Sequence, residues 1–418
     1  MAARAQSRDR TLVVGAGIVG ICCALYLQRE GISVTVVDPR EPGDGCSFGN
    51  AGVLSTGGVT PEAMPGILRR VPRMLLDPLG PIAIRWSYLP RIAPWLLSYA
   101  WNSRAEKVEQ ISIALAQLSK EVIPAYEPLL GDAGLRDMVR KSGCLYVYES
   151  EEAFRSARPA IELRRRRGIP AEELPGEEIR QLEPDLAPIF PRAVFWPGFA
   201  HTLNPKRLTS ALAEHFARRG GSIFRGEVVA LERTGEEKLV AVTRGERLEA
   251  ARIVVAAGAW SRPLAAMLGT RLPLDTERGY HVMLPQPGVT LRRPVLSSEG
   301  GFVMTPMEHG LRLAGTVELG GLKAPPDPKR ADAILKRARR MLPGLGEAGS
   351  ETWMGFRPSF PDSLPVIDRA PHQRNAYFAF GHGHRGLSFA AITGKLIAEL
   401  VRGGKTSIDV APYRAARF

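Results

Sequence analysis

The chain has 418 residues, 44% hydrophobic and 7% aromatic, with a formal net charge of +13. That length exceeds what one simple core serves, so two intertwined domains are expected. Cys22, Cys23, Cys46 and Cys144 show no C-x-x-C pair and no metal-ligand spacing, which predicts structural thiols and no metal centre. The polar N-terminus lacks an apolar leader core, and no stretch reaches the roughly eighteen apolar residues of a membrane span, so a soluble or peripheral cytoplasmic protein is expected. The positive charge would suit nucleic acid, anionic lipid or an acidic partner. Its arginines are scattered, however, and the run at 164–167 reads as the solvated end of a helix. No nucleic-acid motif interleaves with them, so no nucleic-acid partner is expected.

In chain order, the apolar stretch Thr11-Leu12-Val13-Val14 predicts a strand, and Gly15-Ala16-Gly17-Ile18-Val19-Gly20 follows it. Ile18, Ile21, Cys22, Leu25 and Tyr26 then recur at helical spacing, before a second apolar strand from Val34 that ends on Asp38. Strand, G-x-G-x-x-G, helix, strand and acidic residue together form the βαβ fingerprint for a dinucleotide. Gly15 allows the tight turn, Gly17 lets the backbone approach a pyrophosphate, and Gly20 allows close packing of helix on sheet. The helix N-terminus faces the phosphates, while Asp38 accepts ribose hydroxyls and argues against a 2′-phosphate. The fingerprint leaves NAD and FAD both open.

Residues 64–101 combine Pro65, Pro72, Pro78, Pro81, Pro90 and Pro94 with Trp86, Trp95 and Trp101, which predicts short helices and turns. Arg69, Arg70, Arg73, Arg85 and Arg91 alternate with this apolar material, so the segment either lies in a membrane interface or covers a domain interface or site mouth. A helix is expected over 105–126, a strand over 143–149, and a helix over 151–167 stopped by Gly168. Asn204 and Pro205 open a helix to Arg219, followed by strands over 223–225 and 228–233 and a buried strand from Arg252 into Gly258. Strands over 277–284, 301–305 and 311–315 and a helix over 329–341 suggest an antiparallel sheet with one covered face.

Near the C-terminus, Gly381-His382-Gly383-His384-Arg385-Gly386-Leu387-Ser388 feeds an apolar-periodic helix through Ile397 and Leu400, a second glycine-rich anion cradle. Two cradles at opposite ends of the chain suit FAD, whose pyrophosphate and isoalloxazine edge need separate holders. Further motifs lie between the two: Ser47-Phe48-Gly49-Asn50-Ala51-Gly52, Val255-Ala256-Ala257-Gly258-Ala259-Trp260-Ser261, Thr352 to Pro358, and Thr305-Pro306-Met307. In this shared order the chain resembles the FAD-dependent D-amino-acid oxidase/dehydrogenase family, with its glycine oxidase and sarcosine oxidase relatives. It looks most like the bacterial D-amino-acid dehydrogenase branch, which includes D-alanine-type and hydroxy-D-proline-type enzymes.

The resemblance implies an α/β plus α+β fold. A Rossmann-like FAD-binding domain with a parallel sheet would span 10–60, 190–270 and 352–418, and an inserted substrate domain on an antiparallel sheet with helices would span 61–189 and 271–351. It places Gly15, Gly17, Ile18, Val19, Gly20, Asp38, Pro39, Arg40, Ser47, Asn50, Ala51, Gly52, Val228, Ala257, Gly258 and Trp260 against the cofactor. Gly383, His384, Arg385, Gly386, Leu387 and Ser388 would cradle the flavin end. No cysteine follows Cys144, so the FAD is expected to be non-covalent.

The resemblance also implies that Arg357, in Gly355-Phe356-Arg357-Pro358, grips the substrate carboxylate, a task suited to a planar fork that fixes position and orientation together. Tyr280 and His281 alternate to opposite faces, and Tyr280 is the one favoured to face the substrate. His201, His382 and His384 are softer candidates beside the flavin, since a lone histidine is as often structural. The expected activity is oxidation of a D-amino acid, including D-proline types, by hydride transfer from Cα to flavin N5, with electrons passed to a quinone or other carrier. An O2-using glycine or sarcosine oxidase, flavin-dependent modification of a tRNA amine, and a subunit holding FAD only structurally are the alternatives.

Overall fold

A computed structural model of the chain describes residues 10–66, 80–234 and 238–418. The fingerprint forms as its pattern requires. Strand Thr11–Val14, helix Ile18–Arg29 and strand Val34–Asp38 build one βαβ unit. The two strands pair in parallel with Thr11 opposite Val34. Gly15 turns at φ 115°, and a Cβ on Gly20 would stand 1.9 Å from the Gly15 carbonyl oxygen, so both glycines serve the close approach of turn and helix.

These strands belong to a six-stranded sheet in the order Ser222–Arg225, Val34–Asp38, Thr11–Val14, Arg252–Val255, Ala376–Phe380, Val366–Arg369. The first five are parallel and the last is antiparallel. The helix Gly386–Arg402 lies against the helix Ile18–Arg29, where Gly394 faces the Cys22 carbonyl with no room for a side chain. Cys22 and Cys23 are fully buried in that contact, and burial pushes both thiols up, as befits structural cysteines.

A second, nine-stranded sheet is mostly antiparallel. Its edge is Glu351–Ser359, followed inward by Asp275–Leu284, Gly310–Leu319 and Phe302–Met307. Two pairings in it are parallel, Val295–Ser297 with Cys144–Tyr148 and Ile82–Ile84 with Gly310–Leu319. Strands Arg192–Trp196 and Glu351–Ser359, expected within the nucleotide-binding part that resumes at 190 and 352, hydrogen-bond in this second sheet. An apolar strand carries no mark of which sheet it will join.

The helix expected over 105–126 is two, Ala105–Lys120 and Val122–Ala133. Pro124 has no N–H to offer the Lys120 carbonyl, so the first helix stops there and proline occupies the first turn of the next. The cap expected at Asn204 forms, its side chain accepting from Arg207 N at 3.0 Å, and Ser150 and Asp327 cap their helices likewise, accepting from Ala153 N and Lys329 N at 3.1 Å each.

Of the proline-rich segment, Arg69, Arg70, Arg73, Pro72 and Pro78 lie outside the described residues. The remainder forms a short strand, a single turn at Trp86–Tyr88 and the helix Leu89–Asn102. Trp95 is buried and donates to the Ser359 carbonyl, whereas Trp86, Leu97 and Trp101 are exposed. Arg85 is paired with Glu318 and does not face solvent as part of a cationic stripe. Among the described residues no helix is long and apolar enough to cross a membrane.

Candidate active site

One cavity of about 1120 Å³ opens between the two sheets, larger than the ~300–1,000 Å³ of ordinary ligand pockets. Its first end is the fingerprint. Gly15, Gly17, Ile18, Val19, Asp38, Pro39 and Arg40 line it, with Val228, Ala257, Gly258 and Trp260 around them. A Cβ on Gly17 would meet only Ser47 Oγ, at 3.5 Å, so the space in front of Gly17 belongs to a ligand and not to the protein. Asp38 is engaged from both sides: Oδ2 accepts from Ala16 N and Oδ1 from Arg40 N, each at 2.8 Å. A carboxylate has about four acceptor sites, so capacity remains for ribose hydroxyls. Gly20 does not line the cavity; it packs the helix onto the turn.

The loop through 45–52 forms the middle wall. Ser47 Oγ accepts the Ile18 N–H at 3.0 Å, which caps the helix, and Asn50 Oδ1 accepts from Gly52 N at 2.8 Å. Ser47, Asn50 and Ala51 line the cavity, while Gly52 faces Met307 and the Thr202 carbonyl behind it. Buried Arg312 donates to the Phe48 and Asn50 carbonyls, and Trp353 stacks on His281 at 5.2 Å directly against Gly49. Opposite, Gly383 to Ser388 line the cavity where the helix Gly386–Arg402 begins. Ser388 Oγ accepts from Ser55 N and ties this turn to the loop.

The far end carries the charge. Arg357 lies on the edge strand opposite Glu277, and its guanidinium covers Gly279, where any Cβ would overlap it. It donates to the Thr316 carbonyl at 2.8 Å and the Gly315 carbonyl at 3.3 Å, with no carboxylate partner among the described residues. Thr316 holds φ 56° within its strand, an unusual conformation for a β-branched residue that turns its carbonyl toward Arg357. His384 Nε2 meets Glu277 Oε2 at 2.6 Å, and Arg385 pairs with Glu62 at 3.0 Å. Burial alone would raise the Glu62 carboxyl, but Arg385, His384, Arg357 and Arg164 hold it below the usual carboxylate range.

Two sequence-predicted residues are placed otherwise. Tyr280 borders the cavity, but its side chain lies on the strand face opposite Arg357, its hydroxyl bonded to Glu318 and accepting from Asp327 N at 2.9 Å. The register that sets Glu277 against Arg357 and His281 against Trp353 puts Glu277, Gly279 and His281 on the arginine's face. His201 is absent from the cavity wall and buried in its own strand, with Nδ1 at 3.0 Å from Ser142 Oγ. His382 is bonded through Nε2 to Thr393 Oγ1 at 2.9 Å, behind the glycine turn. Sequence reasoning missed Glu62 and Glu277, which only the chain's long-range pairing brings to Arg385 and His384. It also misplaced Arg164, which turns inward from its arginine run.

Burial lowers His201 to about 4, with Arg140 adding to the effect, and burial lowers His281 and His382 to about 3. Each is therefore neutral in the fold and takes up a proton on unfolding below its ordinary value near 6.5. The unfolded state then binds more protons, so stability is complete above about pH 6.5 and falls as pH drops toward 4. His201→Gln should flatten this fall in denaturant midpoints measured between pH 7 and pH 4.5; an unchanged slope would show that His201 is not buried neutral.

Residues 10–400 match the model of the FAD dependent oxidoreductase family, abbreviated DAO. A D-amino-acid oxidase from Bradyrhizobium diazoefficiens is 40% identical over 413 residues, 97% of this chain and 98% of that one. The chain belongs to this family. The fold is shared with solved structures of glycine oxidase from Geobacillus kaustophilus (TM-score 0.74, 24% identity, 99% of each chain) and L-proline dehydrogenase from P. horikoshii (TM-score 0.74, 20% identity, 99% and 98%). The protein is thus an FAD-dependent oxidoreductase acting on amino acids or amines. The cavity fits FAD: the ligand space before Gly17 takes a pyrophosphate, Asp38 keeps free acceptor sites, and the second helix N-terminus faces the other end.

For this flavoenzyme, Asp38→Ala should weaken FAD binding by about 1.5–3 kcal/mol, roughly ten- to a hundred-fold in Kd, without changing substrate preference. Titration of the apoprotein with FAD measures it. Altered substrate preference with unaltered FAD affinity would contradict the assignment.

Proposed function

We propose that this enzyme oxidises a D-amino acid to the imino acid, which water hydrolyses to a 2-oxo acid and ammonia; a D-proline-type substrate would give a cyclic imine. The observation that carries the reading is Arg357, a guanidinium facing the cavity whose protein partners are two carbonyls. A charge held without a counter-ion in a partly buried wall favours an anionic ligand strongly. The likeness to the Bradyrhizobium D-amino-acid oxidase supports the D-configuration.

In this proposal FAD, when bound, supplies the two-electron acceptor. The residues of the chain do the rest. Arg357 forks onto the α-carboxylate and fixes the direction of the Cα–H bond. The His384–Glu277 pair, at 2.6 Å, stands beside it and takes the proton that leaves the substrate ammonium, so the nitrogen lone pair becomes available to stabilise charge at Cα. N–H groups at the start of the helix Gly386–Arg402 stabilise the negative charge of the reduced cofactor. FAD is held without a covalent bond, through Gly15, Gly17, Ile18, Val19, Asp38, Ser47, Asn50 and the turn from Gly383 to Ser388. Trapping of a 2-oxo acid and ammonia from D- but not L-amino acids tests the reading; an L-preference, or an amine product without a 2-oxo acid, would overturn it.

We also propose that electrons leave to a quinone or other carrier, with the exposed Trp86, Leu97 and Trp101 contacting an anionic membrane surface. Binding to anionic vesicles should be weak and weakened further by salt. Failure to co-sediment at low salt would leave this segment as a cover over the domain junction.

A further inference from the structure

Arg164 departs from the arginine run that contains it. Arg165 pairs with Glu162 and Glu173, and Arg166 and Arg167 both pair with Glu109. Arg164 instead lines the cavity. Its Nε donates to the Gly57 carbonyl at 3.2 Å and its Nη2 to Thr60 Oγ1 at 3.0 Å, while Nη1 makes only a long contact of 3.4 Å with the Ala160 carbonyl. The guanidinium centre lies 5.6 Å from the Tyr146 ring and 5.1 Å from that of Trp196. Five N–H donors are available on such a head, and among the described residues no carboxylate pairs with it.

The local charge balance gives this meaning. Glu62 is taken by Arg385 and Glu277 by His384. Arg357 and Arg164 are left with carbonyl and hydroxyl partners. Thr60 accepts from Arg164 through its hydroxyl and from Arg385 through its carbonyl, and the neighbouring His384 is bonded to Glu277, which pairs with Arg357 across the sheet, so both heads address one region of the cavity. The pyrophosphate cradle lies at Gly15 to Gly20 on the other sheet, so the cofactor's phosphates do not account for Arg164. A substrate with a single carboxylate would satisfy Arg357 and leave Arg164 without a carboxylate to bind directly.

We infer that the substrate is a dicarboxylic amino acid, its α-carboxylate on Arg357 and its side-chain carboxylate on Arg164. The inference rests on the role given to Arg357 above. Because the aromatic rings and the two loop contacts hold the guanidinium in place, little side-chain freedom is lost when the second carboxylate binds.

The test compares acids with their isosteric amides on the purified holoenzyme: D-aspartate and D-glutamate against D-asparagine and D-glutamine. At least one acid should exceed its amide by tenfold or more in kcat/KM, mostly through KM. Arg164→Met should bring that ratio near one, and Arg164→Lys should keep part of it. Amides used as well as acids by the parent enzyme would overturn the inference, as would an acid preference that survives in Arg164→Met. Should Arg164→Met fail to fold, the parent ratio and the Arg164→Lys ratio still decide. Flavin reduced by neutral amino acids but not by diacids would sink this inference and leave amino-acid oxidation standing; flavin reduced by no amino acid would sink both.

Discussion

Arg357→Ala should lower kcat/KM for the amino-acid substrate several hundred- to several thousand-fold, while the protein still purifies with a near-normal flavin load. The magnitude follows from leaving a substrate carboxylate unpartnered in a largely dry pocket, about 3–5 kcal/mol. Arg357→Lys keeps the charge but loses the planar fork, so substrate should bind more weakly and present Cα less accurately. The structure sharpens the expectation. The guanidinium rests on Gly279 and is held by the Thr316 and Gly315 carbonyls, so removing it opens space beside Gly279 and leaves Glu62 its ion pair with Arg385. Folding should therefore tolerate the change. Parental efficiency in Arg357→Ala would place the clamp elsewhere, and loss of FAD would make the arginine structural.

Gly17→Val should abolish FAD binding and yield colourless, folded protein. The substituted Cβ would have only Ser47 Oγ nearby, at 3.5 Å, so the protein itself accepts the side chain. What it removes is the room a pyrophosphate needs at the helix N-terminus. Gly15 and Gly20 would not give so clean an experiment, because a Cβ at either collides with backbone at 2.4 Å or less. A yellow Gly17→Val protein with full flavin content would refute the fingerprint reading.

These two residues also mark what the sequence could and could not reveal. The βαβ unit was legible because every part of it is local: strand, turn, helix and acidic residue lie within one short stretch, and each glycine answers to a neighbour. The family resemblance pointed to Arg357, which lines the cavity. Glu62, Glu277 and Arg164 were not legible, because they come together through pairings between distant strands and a helix. The alternation at Tyr280 and His281 correctly sent them to opposite faces, but the face that matters is set by the register with the edge strand, which places Glu277 across from Arg357. Polar Tyr280 proved to be tied to Glu318 on the other face. The arginine run suggested solvent because three of its four members do find surface partners; the fourth sits one helical turn from the Ala160 carbonyl and turns to the cavity.

The central claim is that the cavity orients an amino acid against FAD, and anaerobic mixing of the holoenzyme with D- and L-amino acids, glycine, sarcosine and D-proline derivatives tests it most directly. The flavin absorbance should bleach with one or more D-amino acids and stay oxidised with their L-enantiomers, and re-oxidation by air, quinone or dye would then identify the acceptor class. A flavin that no amino acid bleaches, in protein that binds FAD fully, would show that the cofactor is held without this chemistry and would contradict the account.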